Sequence, residues 1–312
     1  MPRLIEVDTD DAIDLGELIT CLDEDGFDPR DEESFTAAAA SLRKLANNRH
    51  FLTDIAIGEL KTRCRNQLAS NRYGAQVIML HRASAKYFIR ANFWPASHDS
   101  VSRASGTAPF FYGVPHDHNF SFLTVGYLGP GYWSEYYEYD HDAVTGFVGE
   151  LVDLRFVERS RLAPGRTMLY RAHRDVHLQL PADEMSVSIN IVQALPEQIW
   201  LDQYRFNVGK GEIAGILSSA PTEALLALSV HYGDGNALDI ATHFAGHHPS
   251  DRVRFSAWRA LASAEADATA RAACYARGLS NGNRFVSRAC ARALRDMDHA
   301  GRPPNDRALL HP

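Results

Sequence analysis

Two histidines separated by one residue, in an apolar segment, are the feature that most constrains the fold of this chain. His116 and His118 lie in the run PHDHNFSFLTVGYLGPG, residues 115–131, which is rich in β-prone residues and ends at a Pro-Gly turn. In a β-strand, the side chains at positions i and i+2 point to the same face. The spacing therefore predicts two imidazoles on one face of a strand, where together they can bind one metal ion.

A third imidazole is expected from a later strand. The segment YRAHRDVHLQLP contains His177 and, four residues earlier, His173. His177 is the expected third ligand; His173 is the alternative, and is otherwise a candidate acid–base group. Three neutral imidazoles without a thiolate suit Fe(II), Ni(II), Cu(II) or Zn(II). The pattern therefore predicts a metal-dependent enzyme.

Composition and charge restrict the classes of partner. The chain has 312 residues and a formal net charge of −7, which argues against nucleic acid because phosphate binding needs a basic surface. Its four cysteines form no CxxC pair and predict reduced thiols. The start, MPRLIEVDTDD, lacks a leader pattern, and no apolar run approaches the roughly 18 residues that span a bilayer. We therefore expect a cytoplasmic protein with no membrane partner.

The composition and the pattern of apolar residues divide the chain into three predicted regions. Residues 1–72 combine an acidic lead, expected to be solvated, with helices. Residues 73–200 hold many short β-prone runs at roughly ten-residue spacing, typical of a sandwich or jelly-roll barrel. Residues 201–312 return to a helical pattern, in which EIAGILSS is expected to be the first short helix. The last stretch, from residue 299, is expected to be an extended surface tail.

The C-terminal helical region contains a weak internal repeat. A pattern of small and apolar residues recurs after about 33 positions, a period that resembles HEAT-type helical repeats. A helical region without repeats is the equal alternative. The repeated positions are Val253, Ala257, Ala260 and Leu261, followed by Val286, Cys290, Ala293 and Leu294.

The order of these motifs resembles the cupin superfamily and, more narrowly, its cysteine dioxygenase-like branch. That branch has an HDH motif, a glycine and a strand ending in an aromatic and acidic segment, as in VPHDHNFSFLTVGYLGPGYWSEYYEYD here. Its later strands carry an ER pair, the third histidine and a serine-rich close, as in VERSRLAPGRTMLYRAHRDVHLQLPADEMSVSINIV. The resemblance covers about residues 75–195. It implies an α+β fold in which a central, jelly-roll-like cupin β-barrel is flanked by N-terminal and C-terminal helices.

The resemblance also implies a ligand set. It makes His116, His118 and His177 the ligands of Fe(II), with Ni, Zn and Cu as alternative metals. General metal cupins add a Glu four or five residues after the second histidine, where Phe122 and Leu123 stand here. The implied centre therefore has three histidines and open positions for O₂ and substrate.

Further residues are implied for substrate binding. An upstream arginine often binds the substrate carboxylate in that branch, and Arg90 and Arg82 are the candidates here. The closing strand of the branch carries an assisting His and Tyr, whereas Asn190 and Val192 stand at the matching positions. The thiol-dioxygenase mechanism is therefore not expected. The implied function is an oxygenase or oxidase that acts with O₂ on a small polar, amino-acid-like substrate.

Several alternatives stay open at this point. A metal cupin could instead catalyse a non-redox isomerisation or hydrolysis, or the barrel could sense a ligand while residues 201–312 bind a partner protein. Cupin barrels often form homodimers through sheet edges, unless flanking helices cover those edges. Glu135 or Glu138 could reach the metal as a fourth ligand. Strand alternation turns Asp117 outward, which favours a surface position for its carboxylate.

Overall fold

The computed structural model describes residues 2–71, 73–74, 76–82, 86–218 and 220–300. Two compact units divide the chain. The first comprises Met1–His141, Leu151–Gln198 and Gln203–Ala214; the second comprises Asp142–Glu150, Ile199–Asp202 and Gly215–Pro312. The segment 301–312, and with it most of the expected surface tail, lies outside the described residues.

Helices and antiparallel strands both contribute to the described chain, which confirms the α+β class. The helices are Leu15–Glu24 (α1), Glu32–Asn47 (α2), Phe51–Lys61 (α3), Arg65–Ser70 (α4), Ser100–Ser105 (α5), Pro221–Tyr232 (α6), Gly235–His247 (α7), Asp251–Ala264 (α8), Ala268–Leu279 (α9) and Arg284–Ala300 (α10). The strands are Arg3–Ile5 (β1), Val77–His81 (β2), Tyr87–Trp94 (β3), Phe122–Leu128 (β4), Trp133–Glu138 (β5), Arg155–Arg161 (β6), Thr167–Tyr170 (β7), Asp175–Leu180 (β8), Ser186–Gln193 (β9), Tyr204–Asn207 (β10) and Glu212–Ile216 (β11).

Three sheets form from these strands. The largest has six strands in the order β1-β7-β4-β9-β3-β2, the next has the order β6-β5-β8, and β10 pairs with β11. Between the two larger sheets, pairing within the described residues is limited to isolated bridges, Ala96 with Ala182 and Gly126 with Pro164. A barrel closed by continuous strand pairing is therefore not shown, and the cupin barrel stays a prediction.

The alternation of side chains gives the six-stranded sheet two different faces. On β9, Val187, Ile189 and Ile191 are buried in an apolar cluster with side chains of α1, α2 and α3. Ser188 and Asn190 project from the opposite face and are also buried. Burial of each large aliphatic side chain stabilises the fold by about 1.5–3 kcal/mol. The helices therefore cover one face of the sheet and leave the other for polar groups.

The second face of this sheet packs against the three-stranded sheet. Phe122 and Tyr170 from the larger sheet lie in one buried cluster with Tyr132 and Tyr136 from the smaller sheet and the segment leading into it. The hydroxyl oxygens of Tyr136 and Tyr170 lie 3.0 Å apart, so each buried phenol has a hydrogen-bond partner. The two sheets thus face each other, as the predicted sandwich of short strands requires.

Acidic residues near the N-terminus start helices. Asp14 and Glu17 form a capping box at α1, in which each side chain accepts from the other's backbone N–H. Asp31 accepts from the backbone N–H groups of Glu33 and Ser34 at α2. Carboxylates favour this position because they satisfy free N–H groups and complement the helix dipole. The acidic lead therefore has a structural role as well as the expected solvation.

Two segments differ from the sequence-based expectation. The acidic lead contains β1, in which Arg3 pairs with Leu169 and extends the six-stranded sheet. The expected helix EIAGILSS instead contains the strand β11. Both segments are short, and β-pairing with a neighbouring strand outweighs weak local propensity in such cases.

The second unit contains the helices α6 to α10. The repeated positions Val253, Ala257 and Ala260 are buried on α8, and Val286 and Cys290 are buried on α10. Burial of corresponding positions in α8 and α10 is compatible both with HEAT-type repeats and with a helical region without repeats. The HEAT-like assignment therefore stays a prediction. Among the described helices, none has both the length and the apolar character needed to cross a membrane.

Candidate metal centre

The segment that carries the first two histidines is extended but is not part of a regular strand. Strand β4 begins only at Phe122, and His116 forms isolated bridges with His177 on one side and Arg205 on the other. The backbone N–H groups of His116 and His177 each donate to the other residue's carbonyl, at 3.1 and 3.0 Å. Reciprocal pairing fixes the two residues directly opposite each other, so their rings meet on one side.

Three imidazole nitrogens converge at this point. The Nε2 atom of His177 lies 3.1 Å from Nε2 of His116 and 3.2 Å from Nε2 of His118. All three residues are buried, and within the described part of the chain they are the one group of His, Cys, Asp or Glu with metal-ligand spacing. The structure therefore brings together the three histidines predicted as ligands.

The hydrogen-bond chemistry of the cluster fits a bound cation. His116 Nδ1 lies 2.7 Å from the carbonyl oxygen of Val114, so Nδ1 carries the proton and Nε2 presents a lone pair to the cluster. His177 Nε2 can donate or accept only one hydrogen bond, yet it has two close nitrogen neighbours. Three imidazole nitrogens this close together are a donor set that a divalent transition-metal ion would accept. An ion bound by all three Nε2 atoms would resolve this conflict, and it would leave His177 Nδ1 as a buried donor without a partner in the described structure.

Burial keeps the three imidazoles neutral. It lowers the pKa of His116, an effect opposed by the hydrogen bond to the Val114 carbonyl. It lowers the pKa of His118 and His177 well below the usual value, and repulsion from neighbouring imidazoles acts in the same direction. For His118, the positive charge of Arg90 adds to the shift. Neutral imidazole is the form that binds metal ions.

These pKa shifts predict acid sensitivity of the metal-free protein. The three imidazoles regain an ordinary pKa of about 6.5 when the chain unfolds, so the unfolded state binds more protons once the pH falls below that value. The free energy of unfolding of chelator-treated protein should therefore decrease from pH 7.5 to pH 5.5 in urea titrations. A variant with all three histidines replaced by glutamine should lose less stability over this range than wild type. An equal loss in both proteins would contradict the assignment of the pH dependence to these three histidines.

The histidine cluster forms part of the lining of a cavity of about 180 Å³. Polar side chains from several strands and loops share this lining with aromatic rings. The polar groups include Gln76, Arg90, Asn92, Gln179, Asn190 and Gln203. The cavity therefore offers hydrogen-bond donors and acceptors as well as a cation close to the three imidazoles.

The two candidate arginines have different positions. Arg90 lies on β3 and lines the cavity, and its guanidinium carbon lies 4.8 Å from the centre of the Tyr73 ring. Its Nε atom is buried and has no hydrogen-bond partner in the described structure. Arg82 is exposed beyond the end of β2 and does not belong to the lining residues. Only Arg90 can therefore contact a molecule in this cavity.

The candidate Asn190 also lines the cavity. Its Oδ1 atom accepts hydrogen bonds from the Thr124 hydroxyl at 3.2 Å and the Ser188 hydroxyl at 3.3 Å. Phe120 and Phe122 take part in the same lining. Asn190 is held firmly by two neighbours on the sheet, and this fixes where its amide group lies.

Neither candidate carboxylate joins the histidine cluster. Glu138 forms ion pairs with Arg155 and with Arg171, the latter at 3.3 Å. Glu135 accepts a hydrogen bond from the Tyr137 hydroxyl at 2.9 Å. The described ligand group therefore contains no fourth, acidic member.

His173 lies outside the cluster as well. Its φ angle of 57° places it in the left-handed region, and its backbone N–H donates to the carbonyl of His118 at 2.8 Å. Its Nδ1 atom lies 3.8 Å from Oδ2 of Asp117. His173 is thus a neighbour of the ligand segment, and His177 is the residue at the cluster.

Asp117 is buried, which corrects the expected surface position. Its carboxylate accepts hydrogen bonds from the Tyr139 hydroxyl and from the backbone N–H of Tyr204, both at 2.6 Å. Burial and then the charge of Asp117 raise the pKa of Tyr139 well above its usual range, so the phenol remains a donor. The expectation failed because it assumed solvent on the second side of the segment, where β10 lies instead.

Sequence reasoning also missed a side chain beside His118. The amide of Gln203 lies 3.5 Å from His118 Nδ1, the ring nitrogen that faces away from the cluster. A polar partner at this second nitrogen helps to fix the orientation of a metal-binding imidazole. Gln203 is 85 positions away from His118 along the chain, and no local pattern marks it.

Comparison with known proteins does not place the chain in a family. No family model matches it, and no curated protein matches it. Solved structures with local similarity include the DMSP lyases RdDddP and RnDddQII, at 12% identity over 39% of this chain and 44% of that chain, with a TM-score of 0.23. DMSP lyase DddQ from Ruegeria pomeroyi DSS-3 matches at 12% identity over 42% of this chain and 58% of that chain, also with a TM-score of 0.23.

A third similar structure is an oxygenase. Hydroquinone 1,2-dioxygenase PnpCD, in complex with Cd²⁺ and 4-hydroxybenzonitrile, matches at 12% identity over 42% of this chain and 71% of that chain, with a TM-score of 0.25. The chain spans about half the length of the two lyase structures. Similarities this low carry no argument about activity.

Proposed function

We propose that this chain is a cupin-type, divalent-metal-dependent enzyme that acts with O₂ on a small polar anion, with Fe(II) as the metal. The observation that carries the proposal is the convergence of three buried Nε2 atoms at the wall of a cavity. The motif order of the cysteine dioxygenase-like branch supports a three-histidine iron centre. The absence of its assisting residues argues against that branch's own thiol chemistry.

The residues of the chain would hold the metal through neutral donors. Val114 fixes the tautomer of His116, and Gln203 contacts the second ring nitrogen of His118. When bound, an Fe(II) ion supplies Lewis acidity and open positions at which O₂ and a substrate heteroatom can meet. Among the described residues the ligand group contains no carboxylate, so the three donors themselves would bring no negative charge to the ion. An anionic substrate would therefore be attracted to the site.

The position of Arg90 also favours a negatively charged substrate. Its guanidinium lines the cavity, and its buried Nε atom has no hydrogen-bond partner in the described structure. A buried donor without a partner is costly, and a carboxylate of the substrate would satisfy it with a charge-assisted hydrogen bond. We propose that Arg90 binds this carboxylate, with Gln179 and Asn190 available for other polar groups.

The size of the cavity limits the substrate. At about 180 Å³ it is slightly larger than the cavity of roughly 150 Å³ that admits benzene in an engineered protein. Scaled from benzene, the cavity would enclose about seven non-hydrogen atoms of a substrate. Amino-acid-sized acids satisfy both the size and the charge.

Oxygen uptake tests the proposal. Iron-loaded protein should consume O₂ when mixed with a panel of small amino, thiol and aromatic carboxylic acids, and the consumption should require the metal. Replacing Arg90 with methionine should lower kcat/KM at least tenfold for the active compound, since a charge-assisted hydrogen bond contributes about 1.5–3 kcal/mol. The matched variant Arg82→Met, at the exposed arginine, should differ from wild type by less than twofold.

The same assay distinguishes an oxygenase from a metal enzyme that catalyses a non-redox reaction. Three neutral imidazoles can also hold an ion that activates water, which makes isomerisation or hydrolysis the second candidate. Turnover of a panel compound without O₂ consumption would overturn the oxygenase proposal in favour of this alternative. Equal kinetics for wild type and Arg90→Met would refute the role of Arg90.

A further inference from the structure

Phe111 combines a left-handed backbone with a partly exposed phenyl side chain. It follows a short 3-10 helix, Ala108–Phe110, and its φ angle of 59° places it in the left-handed region. A bulky side chain rarely adopts this conformation because its Cβ crowds the backbone. The residue is also 42% exposed, whereas phenylalanine is among the residues most often fully buried. The left-handed backbone ends the 3-10 helix, and the Phe111 N–H donates to the Ala108 carbonyl at 3.0 Å. Glycine would end the helix with less strain, so the helix end alone does not explain a phenylalanine here.

The position of Phe111 is at the candidate metal centre. Its side chain lines the cavity, and its ring centre lies 5.5 Å from that of His116. Phe120 also lines the cavity, with its ring centre 4.8 Å from that of His118. Two of the three candidate ligands therefore have a phenyl ring beside them. A molecule bound next to the histidines would meet aromatic carbon as well as polar groups.

Strain that persists at a binding cavity indicates a function that needs it. A backbone in the left-handed region directs the Phe111 ring against the space beside His116, where bound substrate could cover its exposed carbon atoms. Contact with a flat apolar group would provide this cover, because aromatic rings pack favourably with one another. Arg90 in the same cavity supplies a site for an anionic end.

We infer that Phe111 is a specificity-determining residue that binds a ring-sized apolar group of the substrate. Resting on the proposed function, this narrows the substrate class to small carboxylic acids that carry such a group. Benzoate, with a carboxylate and a phenyl ring, is the minimal probe of this class, and acetate is the probe that lacks the ring.

The test is calorimetric titration of full-length protein, incubated beforehand with a divalent metal ion, with benzoate and with acetate. Wild type should bind benzoate at least tenfold more tightly than acetate, since stacking and burial of the ring add to the carboxylate contact. Phe111→Ala and Phe111→Gly should both bind benzoate about tenfold more weakly and leave acetate affinity unchanged. Phe156→Ala, at another exposed phenylalanine outside the cavity lining, should bind both probes like wild type.

Thermal stability separates specificity from a structural role. Phe111→Gly should melt about 2–4 °C above Phe111→Ala, because glycine tolerates the positive φ angle and alanine does not. Both variants could melt far below wild type and bind neither benzoate nor acetate. That result would show that Phe111 is structural and would overturn the inference.

Metal analysis of the same samples shows whether a failure concerns the role of Phe111 or the proposed metal-dependent function. Wild type without any metal would contradict the proposed function, whereas weaker benzoate binding by Phe111→Gly would support the specificity role with or without metal. Unchanged benzoate affinity in Phe111→Gly, or no benzoate binding by wild type, would overturn the inference.

Discussion

Replacement of His177 with alanine should abolish the stabilisation that a divalent metal ion gives this protein. His177 Nε2 is the atom that lies within 3.2 Å of both other candidate ligand atoms, so its loss leaves two nitrogens and an opened cluster. A ligand at 100 times its Kd stabilises the folded state by about 2.7 kcal/mol. For a unit of this size, that stabilisation raises the melting temperature by about 5–10 °C. Anaerobic melting curves with and without Fe(II) or Zn(II) measure this shift.

An exposed histidine provides the control for this experiment. His243 lies on α7, is exposed and does not belong to the ligand group. His243→Ala should retain the full metal-dependent shift that wild type shows. The ligand assignment would be contradicted if His177→Ala kept the shift, or if His243→Ala lost it.

Replacement of Asp117 with alanine should destabilise the fold and weaken metal binding together. The carboxylate is completely buried and accepts from Tyr139 and from the backbone of Tyr204. Its removal leaves two buried donors without an acceptor, at a cost of about 1–3 kcal/mol each. Because the residue lies between His116 and His118, metal affinity should also fall, by about 10–100-fold as for other groups that support ligands. Urea unfolding and competition with a chelator measure the two effects.

Conservative variants separate these effects from general damage. Asp117→Asn retains one carbonyl oxygen and the shape of the side chain, so it should recover part of both losses. Tyr139→Phe removes the donor together with its hydrogen bond, and should therefore cost less stability than Asp117→Ala. An Asp117→Ala variant with wild-type stability would contradict the geometry described for this carboxylate.

The histidine cluster was accessible from the sequence because one strong local signal marks its first two members. The i and i+2 spacing of His116 and His118 requires only an extended backbone, and the pairing of His116 with His177 supplies one. The two arginine candidates could not be separated in the same way. Their difference depends on where β2 ends, and strand ends are set by tertiary packing.

Other parts of the site depend on contacts that no local pattern records. Asp117 is buried because β10 lies beside the segment, and the first residue of that strand, Tyr204, is 87 positions away. Gln203 reaches His118 for the same reason. The left-handed backbone at Phe111 could not be predicted, because the position is not occupied by glycine or asparagine, the residues that usually adopt this conformation. Long-range pairing therefore determines what surrounds the histidines, whereas the sequence pattern determines only that they can meet.

The fold shows the same division between local and long-range information. The alternation in β9 was readable, because apolar and polar side chains take opposite faces of a sheet that is covered by helices on one side. β1 and β11 were not readable, since the acidic lead and the run EIAGILSS carry no clear strand pattern and the conformation of each strand depends on a partner strand. Short edge elements of this kind carry too little local signal to outweigh an alternative assignment.

The most direct test of the account is the metal content of protein purified under anaerobic conditions, measured by mass spectrometry for wild type and His118→Ala side by side. We predict close to one iron per wild-type chain and a loss of that iron in the variant, with both proteins folded. Stoichiometric zinc or nickel in wild type would retain the three-histidine centre but contradict the iron assignment. Absence of bound metal in wild type after reconstitution, or equal metal in both proteins, would contradict the metal centre itself.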